Sequence, residues 1–309
     1  MRAFDLLAGW PVRVAAAGVA ACRDAGGGAL AGKDGAVVAR PAADAAGRRR
    51  PEVTILGTTG DADRTYAWAS VTKLCTALAV LVAVEEGTLA LSDPAGPPGA
   101  TVAHLLAHAS GLAPDRREAI APPATRRIYS NAGFEVLGDL LGERASMPVS
   151  EYVAEAVFVP LGMAGARLAP GASPAHGAEG TLRDLLALGA ELLAPRVVAP
   201  ETLAAATKVA YPGLAGVLPG FGPQDPNDWG LGFELRDAKR PHWTGSGNSP
   251  ATFGHFGRSG SFLWVDPEAR LACAVLSDRG FGSWAADAWP VLSDAVLRTA
   301  GERAQGRHG

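Results

Sequence analysis

The run Trp68-Ala69-Ser70-Val71-Thr72-Lys73-Leu74-Cys75-Thr76-Ala77-Leu78 sets a serine and a lysine three positions apart at the start of an apolar segment. Positions i and i+3 of a helix share one face, so the lysine amine reaches the serine hydroxyl. A serine hydroxyl is a weak nucleophile until a neighbour takes its proton. Lysine serves as that neighbour once burial or nearby cations discourage its charge. Leu74, Leu78, Leu81 and Val82 continue with helical period to Glu86, and Gly87 is a natural C-cap. This helix is apolar nearly all round, which predicts a course through the protein's centre. Alone, the pair also fits an N-cap serine and a solvated lysine. Its meaning depends on the rest of the chain.

With 309 residues, the chain has room for a large core, as one big domain or as two lobes sharing a cleft. A hydrophobic content of 48% with 19% charged residues is that of a globular protein. The formal net charge of -3 leaves no basic footprint, so nucleic acid is not an expected partner. The 39 glycines and 23 prolines imply many turns. No apolar run is long and clean enough to span a bilayer. Cys22, Cys75 and Cys273 are widely spaced and odd in number, which fits buried thiols in a reducing, cytoplasmic setting better than a disulfide framework. Val19-Ala20-Ala21-Cys22 also resembles a bacterial lipoprotein box, with Cys22 as the anchor. Asp5, Pro11 and Arg13 interrupt the charged start and apolar centre that such a signal needs.

The pattern outward from the helix predicts a short helix over Phe4–Trp10 and a small-residue strand over Val12–Ala21. It then predicts a hairpin with a mobile loop over 24–50, and a strand over Val53–Gly57. Helical stretches follow at Thr101–Ala109, Ala132–Arg144, Val149–Val157 and Leu182–Leu193, the last with Thr181 and Asp184 placed as a capping pair. Strands are expected at Gly230–Leu235, Thr252–Phe256, Ser261–Val265 and Leu271–Ser277, and a final helix at Trp284–Thr299. Strands at both ends with helices between predict an α+β fold. Its antiparallel sheet, flanked by helices, is built from 1–87 and 212–309, and a helical lobe of 88–211 is inserted with the site in the cleft between them.

Two further clusters add chemistry. Tyr129-Ser130-Asn131 follows a Pro-rich loop and precedes a helix. A tyrosine shuttles protons if neighbouring cations lower its pKa, and an asparagine donates to a substrate carbonyl. In His255-Phe256-Gly257-Arg258, the glycine lets a strand edge approach a ligand, with the next backbone N–H free to point inward. Tyr129 also fits a core tyrosine, and His255 a strand histidine making local bonds.

Together the three clusters resemble the serine hydrolases of the β-lactamase and penicillin-binding-protein superfamily, above all the class C β-lactamase-like esterases and peptidases. That family carries Ser-x-x-Lys, Tyr-x-Asn, and Lys-Thr-Gly or His-x-Gly in this order. The segments His104–Leu112, Trp229–Phe233 and Leu263–Pro267 also look like it, and the likeness covers roughly residues 53–300. The resemblance implies acyl transfer through a covalent serine ester, without a cofactor. Ser70 is then the nucleophile, and Lys73 and Tyr129 share the base and proton-return roles. The backbone N–H groups of Ser70 and Arg258 receive the oxyanion, and Asn131 orients substrate and Lys73. His255 replaces the family's lysine, and a neutral imidazole is a weaker anchor for carboxylates. The expected substrate is therefore a small ester or amide rather than a lactam. The alternatives are a β-lactamase, a D-amino-acid-specific peptidase, or a sensor of the same fold without turnover.

His104 and His108 have a spacing that suits zinc, but no His-Glu-x-x-His or third ligand accompanies them, so packing or turn-capping is expected and a metal is not. Ser110 before Gly111 reads as structural, and His176 has no evident partner. Trp229, Trp243 and Trp264 read as core or cleft wall. No Gly-x-Ser-x-Gly elbow and no phosphate-binding glycine loop occurs.

Overall fold

The computed structural model describes residues 1–23, 37–39 and 51–305. Both chain ends contribute to one seven-stranded sheet. In spatial order its strands are Val37–Ala39, Glu52–Thr59, Ala15–Arg23, Leu271–Ser277, Ser261–Asp266, Phe253–Gly257 and Glu234–Leu235, all paired antiparallel. Val19 lies opposite Gly57 on one side and Cys273 on the other, so the early and late segments are joined directly. The expected hairpin and loop over 24–50 lie outside the described residues, apart from Val37–Ala39.

Alternation along the strands divides the apolar side chains between two cores. Ala272, Ala274 and Leu276 face one core, which holds Leu185, Leu188 and Leu192 of the helix Leu182–Leu193. Leu271, Cys273 and Val275 face the other, with Trp289, Leu292 and Val296 of the helix Ser283–Gln305 and Phe4 of the 3-10 helix Arg2–Gly9. The helix Thr72–Glu85 has every residue from Thr72 to Ala83 buried, as its all-round apolarity requires. Thr181 and Asp184 form a reciprocal capping box. Cys22 is buried in a central strand opposite Val53, so cleavage ahead of it would remove most of that strand. Among the described residues no helix is long and apolar enough to cross a membrane.

Several element boundaries differ from the hydropathy pattern. Gly230–Leu235 contributes only Glu234–Leu235 to the sheet. Gly232, at φ 91°, donates to the Leu106 carbonyl, and a Cβ there would collide with Ala77, so this stretch packs on the central helix instead. The helix expected over Thr101–Ala109 stops at Leu106 because the chain turns at His108, with φ 55°. Val149–Val153 is α-helical and passes into a π turn over Ala154–Phe158. The segment between the two halves of the sheet is mainly helical, including the unexpected Pro200–Ala206. It also contributes short strands at Arg167–Leu168, Ala178–Gly180, Gly216–Leu218 and Gly222–Gln224.

Candidate active site

Ser70 sits in a 3-10 turn, Ala69–Val71, that feeds the central helix. Ser70 in this turn and Lys73 in the first turn of the helix are three positions apart, a spacing that keeps them on one face. Ala69 has a left-handed φ of 46°, an unfavourable conformation for a residue with a Cβ. The turn is fixed from both sides: Ser261 Oγ donates to the Trp68 carbonyl at 2.8 Å, and the Trp68 N–H donates to the Ala178 carbonyl at 3.0 Å. A Cβ at Gly257 would collide with that Trp68 carbonyl and with Ser261 Oγ. Glycine at 257 therefore lets the end of the strand Phe253–Gly257 close on the turn that carries Ser70, with Arg258 next in the chain.

Lys73 is fully buried. Its Nζ donates to Asn131 Oδ1 at 2.6 Å and to the Ala175 carbonyl at 2.9 Å. It lies 4.8 Å from the Tyr129 ring centroid and 5.4 Å from that of Phe134. Burial pulls its pKa down to about 7, against the opposing charges of Glu135 and Asp115. The partners are an amide and a carbonyl, which accept hydrogen bonds without supplying the full charge that would keep an ammonium.

Tyr129 and Ser70 line the same pocket, and the interaction of the Ser70 hydroxyl with the phenol works to lower the Tyr129 pKa. The sequence expectation of a phenol lowered by cations is not met. Burial raises the Tyr129 pKa, and the Ser70 interaction offsets this only in part, so the phenol keeps its proton at neutral pH. The His255 Nδ1–H donates to the Phe256 carbonyl at 2.6 Å, which leaves the Nε2 lone pair 3.5 Å from the Tyr129 oxygen. Burial, reinforced by the Lys73 charge, lowers His255 to about 3, so the imidazole is neutral. His108 supports Tyr129 from behind. The Ser130 N–H donates to His108 Nδ1 at 3.1 Å, and the imidazole ring lies 4.7 Å from that of Tyr129 and 4.6 Å from that of Trp229. Ser130 Oγ also caps the helix Asn131–Ala145 by accepting from the Gly133 N–H.

Ser70, Tyr129, Asn131, His255 and Arg258 line a single pocket of about 380 Å³, with Trp229 among its walls. Lys73 lies buried behind it, and Gly257 acts by packing. Three contributors escape sequence reasoning. Asp115 accepts from Asn131 Nδ2 at 2.7 Å, but stands in a charged loop with nothing to mark it. Ala175 acts through its carbonyl, which no side-chain pattern reveals. Glu135, four residues after Asn131, is placed toward Lys73 by helical spacing alone. His104 points elsewhere, its Nδ1 accepting from the Thr101 N–H and its ring stacked 4.4 Å from Tyr211. Among the described residues no three His, Cys, Asp or Glu cluster as a metal site.

A serine in a strained turn, beside a buried lysine and a tyrosine at the edge of an antiparallel sheet, defines the architecture of β-lactamase-like serine hydrolases. The chain belongs to the beta-lactamase family, whose model matches residues 13–296. It is 48% identical to a beta-lactamase from Mycobacterium bovis, over 96% of this chain and 99% of that one, with a TM-score of 0.85. It shares its fold with an octameric penicillin-binding protein homologue from Pyrococcus abyssi, at 19% identity over 96% of this chain and 75% of that one, with a TM-score of 0.67. The same holds for EstCE1, a hydrolase with promiscuous acyltransferase activity, at 17% identity over 96% of both chains, with a TM-score of 0.67. No curated protein matches the chain.

Proposed function

We propose that this protein hydrolyses esters or small amides through a covalent acyl-Ser70 intermediate. The observation that carries the reading is a buried amine at about 7, hydrogen-bonded to Asn131 and 4.8 Å from the ring of a tyrosine that shares a pocket with Ser70. Ser70 Oγ attacks the substrate carbonyl while its proton passes by way of the Tyr129 hydroxyl to the neutral Lys73 amine. The oxyanion rests on the backbone N–H groups of Ser70 and Arg258, the first of which belongs to the unpaired donors of a helix start. The proton then returns through Tyr129 to the leaving oxygen or nitrogen, and the carbonyl-to-leaving-group bond breaks as the Ser70 ester is completed. Water enters by the same route, releasing the acid and restoring Ser70. Lys73 is the base and Tyr129 the relay, because burial lowers the first and raises the second.

We place the site between a sheet lobe of 1–87 with 212–309 and a helical lobe of 88–211. Ser70, His255 and Arg258 come from the first and Tyr129 and Asn131 from the second, and all five line one pocket. The neutral His255 favours esters over substrates that need a carboxylate anchor. The name of the Mycobacterium bovis relative and the exposed Arg258 guanidinium at the pocket favour a β-lactamase as the second reading. Ser70→Ala abolishes both turnover and fluorophosphonate labelling under this proposal, and retention of either contradicts it. Faster turnover of nitrocefin than of a short nitrophenyl ester selects the second reading.

A further inference from the structure

Beside the catalytic pocket runs a larger groove of about 860 Å³, and the two share Pro114, Tyr129 and Pro219. Neither Ser70 nor Arg258 lines the groove, so it departs from the pocket on the Tyr129 side and away from the oxyanion donors. Its walls carry Ile120, Ile128, Val217 and Pro223. Ile120 is 51% and Val217 56% exposed, which places two large apolar side chains in water beside the site. Arg126 and Asp225 also line the groove with opposite charges, and the third charged residue there, Arg127, is buried with its guanidinium donating to the carbonyls of Asn227, Ala107, Ala210 and Tyr211, so it is engaged by the protein rather than held out to a ligand.

Building on the hydrolase reading, we infer that this groove holds the leaving group of the substrate, and that the substrate is an ester of an elongated, uncharged, apolar alcohol. In acylation the bond to the leaving oxygen breaks and that oxygen receives its proton from Tyr129, so the departing alcohol lies on the Tyr129 side. The acyl carbon and its short substituent stay with Ser70 and Arg258 in the smaller pocket, whose about 380 Å³ is near the lower end of small-molecule sites. An apolar alcohol chain in the groove covers Ile120 and Val217, which gives those exposed side chains a partner within the same molecule as the reacting carbonyl.

The test compares two ester series in the full-length protein, with active sites counted by fluorophosphonate titration. One series holds the acyl group at acetyl and lengthens the alcohol from methanol to octanol. The other holds the alcohol at nitrophenol and lengthens the acyl chain from acetyl to octanoyl. A groove that covers about half of each methylene raises kcat/KM roughly twofold per carbon in the alcohol series. The acyl series stays flat or declines. Val217→Asp and Ile120→Asp each reduce the ratio of octyl to methyl ester turnover by about tenfold, since a desolvated carboxylate opposes the chain. A flat alcohol series, a steeper acyl series, or an unchanged ratio in both variants overturns the inference while the hydrolase reading stands. Absence of turnover in both series, with Ser70 unlabelled, removes the hydrolase reading and this inference with it.

Discussion

Replacing Asn131 by aspartate exchanges the neutral amide beside the buried amine for a carboxylate of the same shape. Asn131 Oδ1 accepts from Lys73 Nζ at 2.6 Å, and the Asn131→Asp variant puts a carboxylate oxygen there. The fold lowers Lys73 from 10.5 to about 7, which corresponds to about 5 kcal/mol in favour of the neutral amine. A full opposite charge at this distance interacts by roughly 6 kcal/mol at an effective dielectric of about 20. Asp115, which now accepts from Asn131 Nδ2 at 2.7 Å, faces the new carboxylate and resists its ionisation. A third of the Coulomb figure, about 2 kcal/mol, still moves the Lys73 inflection up by about 1.5 pH units and lowers kcat/KM at pH 7 about fifteenfold. Asp115→Asn acts with the opposite sign. It removes a charge that raises Lys73, so its inflection moves a few tenths of a unit to lower pH.

The assay is kcat/KM for a short nitrophenyl ester from about pH 5 to about pH 10, a range in which a general base titrates from inactive to active. The base must be deprotonated, so the wild-type rate rises through about pH 7 and then levels. A rate that falls through that range, or one inflection common to all three proteins, refutes Lys73 as the base.

Other consequences follow from the packing around the site. Gly257→Ala forces the strand end away from the Trp68 carbonyl and Ser261, and lowers kcat/KM by about a hundredfold through loss of near-attack geometry; unchanged kinetics contradict the close approach. Lys239→Met leaves Glu234, only 2% exposed, without the Nζ that donates to it at 2.6 Å. The cost is about 3 kcal/mol, read as a melting temperature lower by about 6 °C, and equal melting temperatures refute it. His255→Lys restores a cation where the family's third motif has one and raises the ratio of nitrocefin to ester turnover about tenfold, the value of one charged hydrogen bond; a constant ratio argues that position 255 does not contact a substrate carboxylate.

Much of the architecture is legible because its periodicities are long and uninterrupted. Thr181 and Asp184 mark one helix start, and Leu271–Ser277 reads as a strand buried on both faces. The stretch before Glu234 misleads because Gly232 serves contacts with Ala77 and Leu106, and Gly230 a close approach to the Ala206 carbonyl, that lie far off in sequence. Pro200–Ala206 is too short for a periodic signal. At the site, side chains in motifs are legible and backbone acceptors are not, so Ala175 is silent and Asp115 resembles its charged neighbours. Burial also reverses an expectation. Motif spacing brings Tyr129 near a cation, but the surrounding rings of His108 and Trp229 and the protein interior raise its pKa.

The most direct measurement is a mass spectrum of the protein quenched during turnover of a short nitrophenyl ester, digested to locate the adduct. The account predicts one acyl group on the peptide bearing Ser70, formed faster as pH rises through about 7 and absent from Ser70→Ala. Turnover without an adduct, or an acyl group on another residue with Ser70 unmodified, contradicts it.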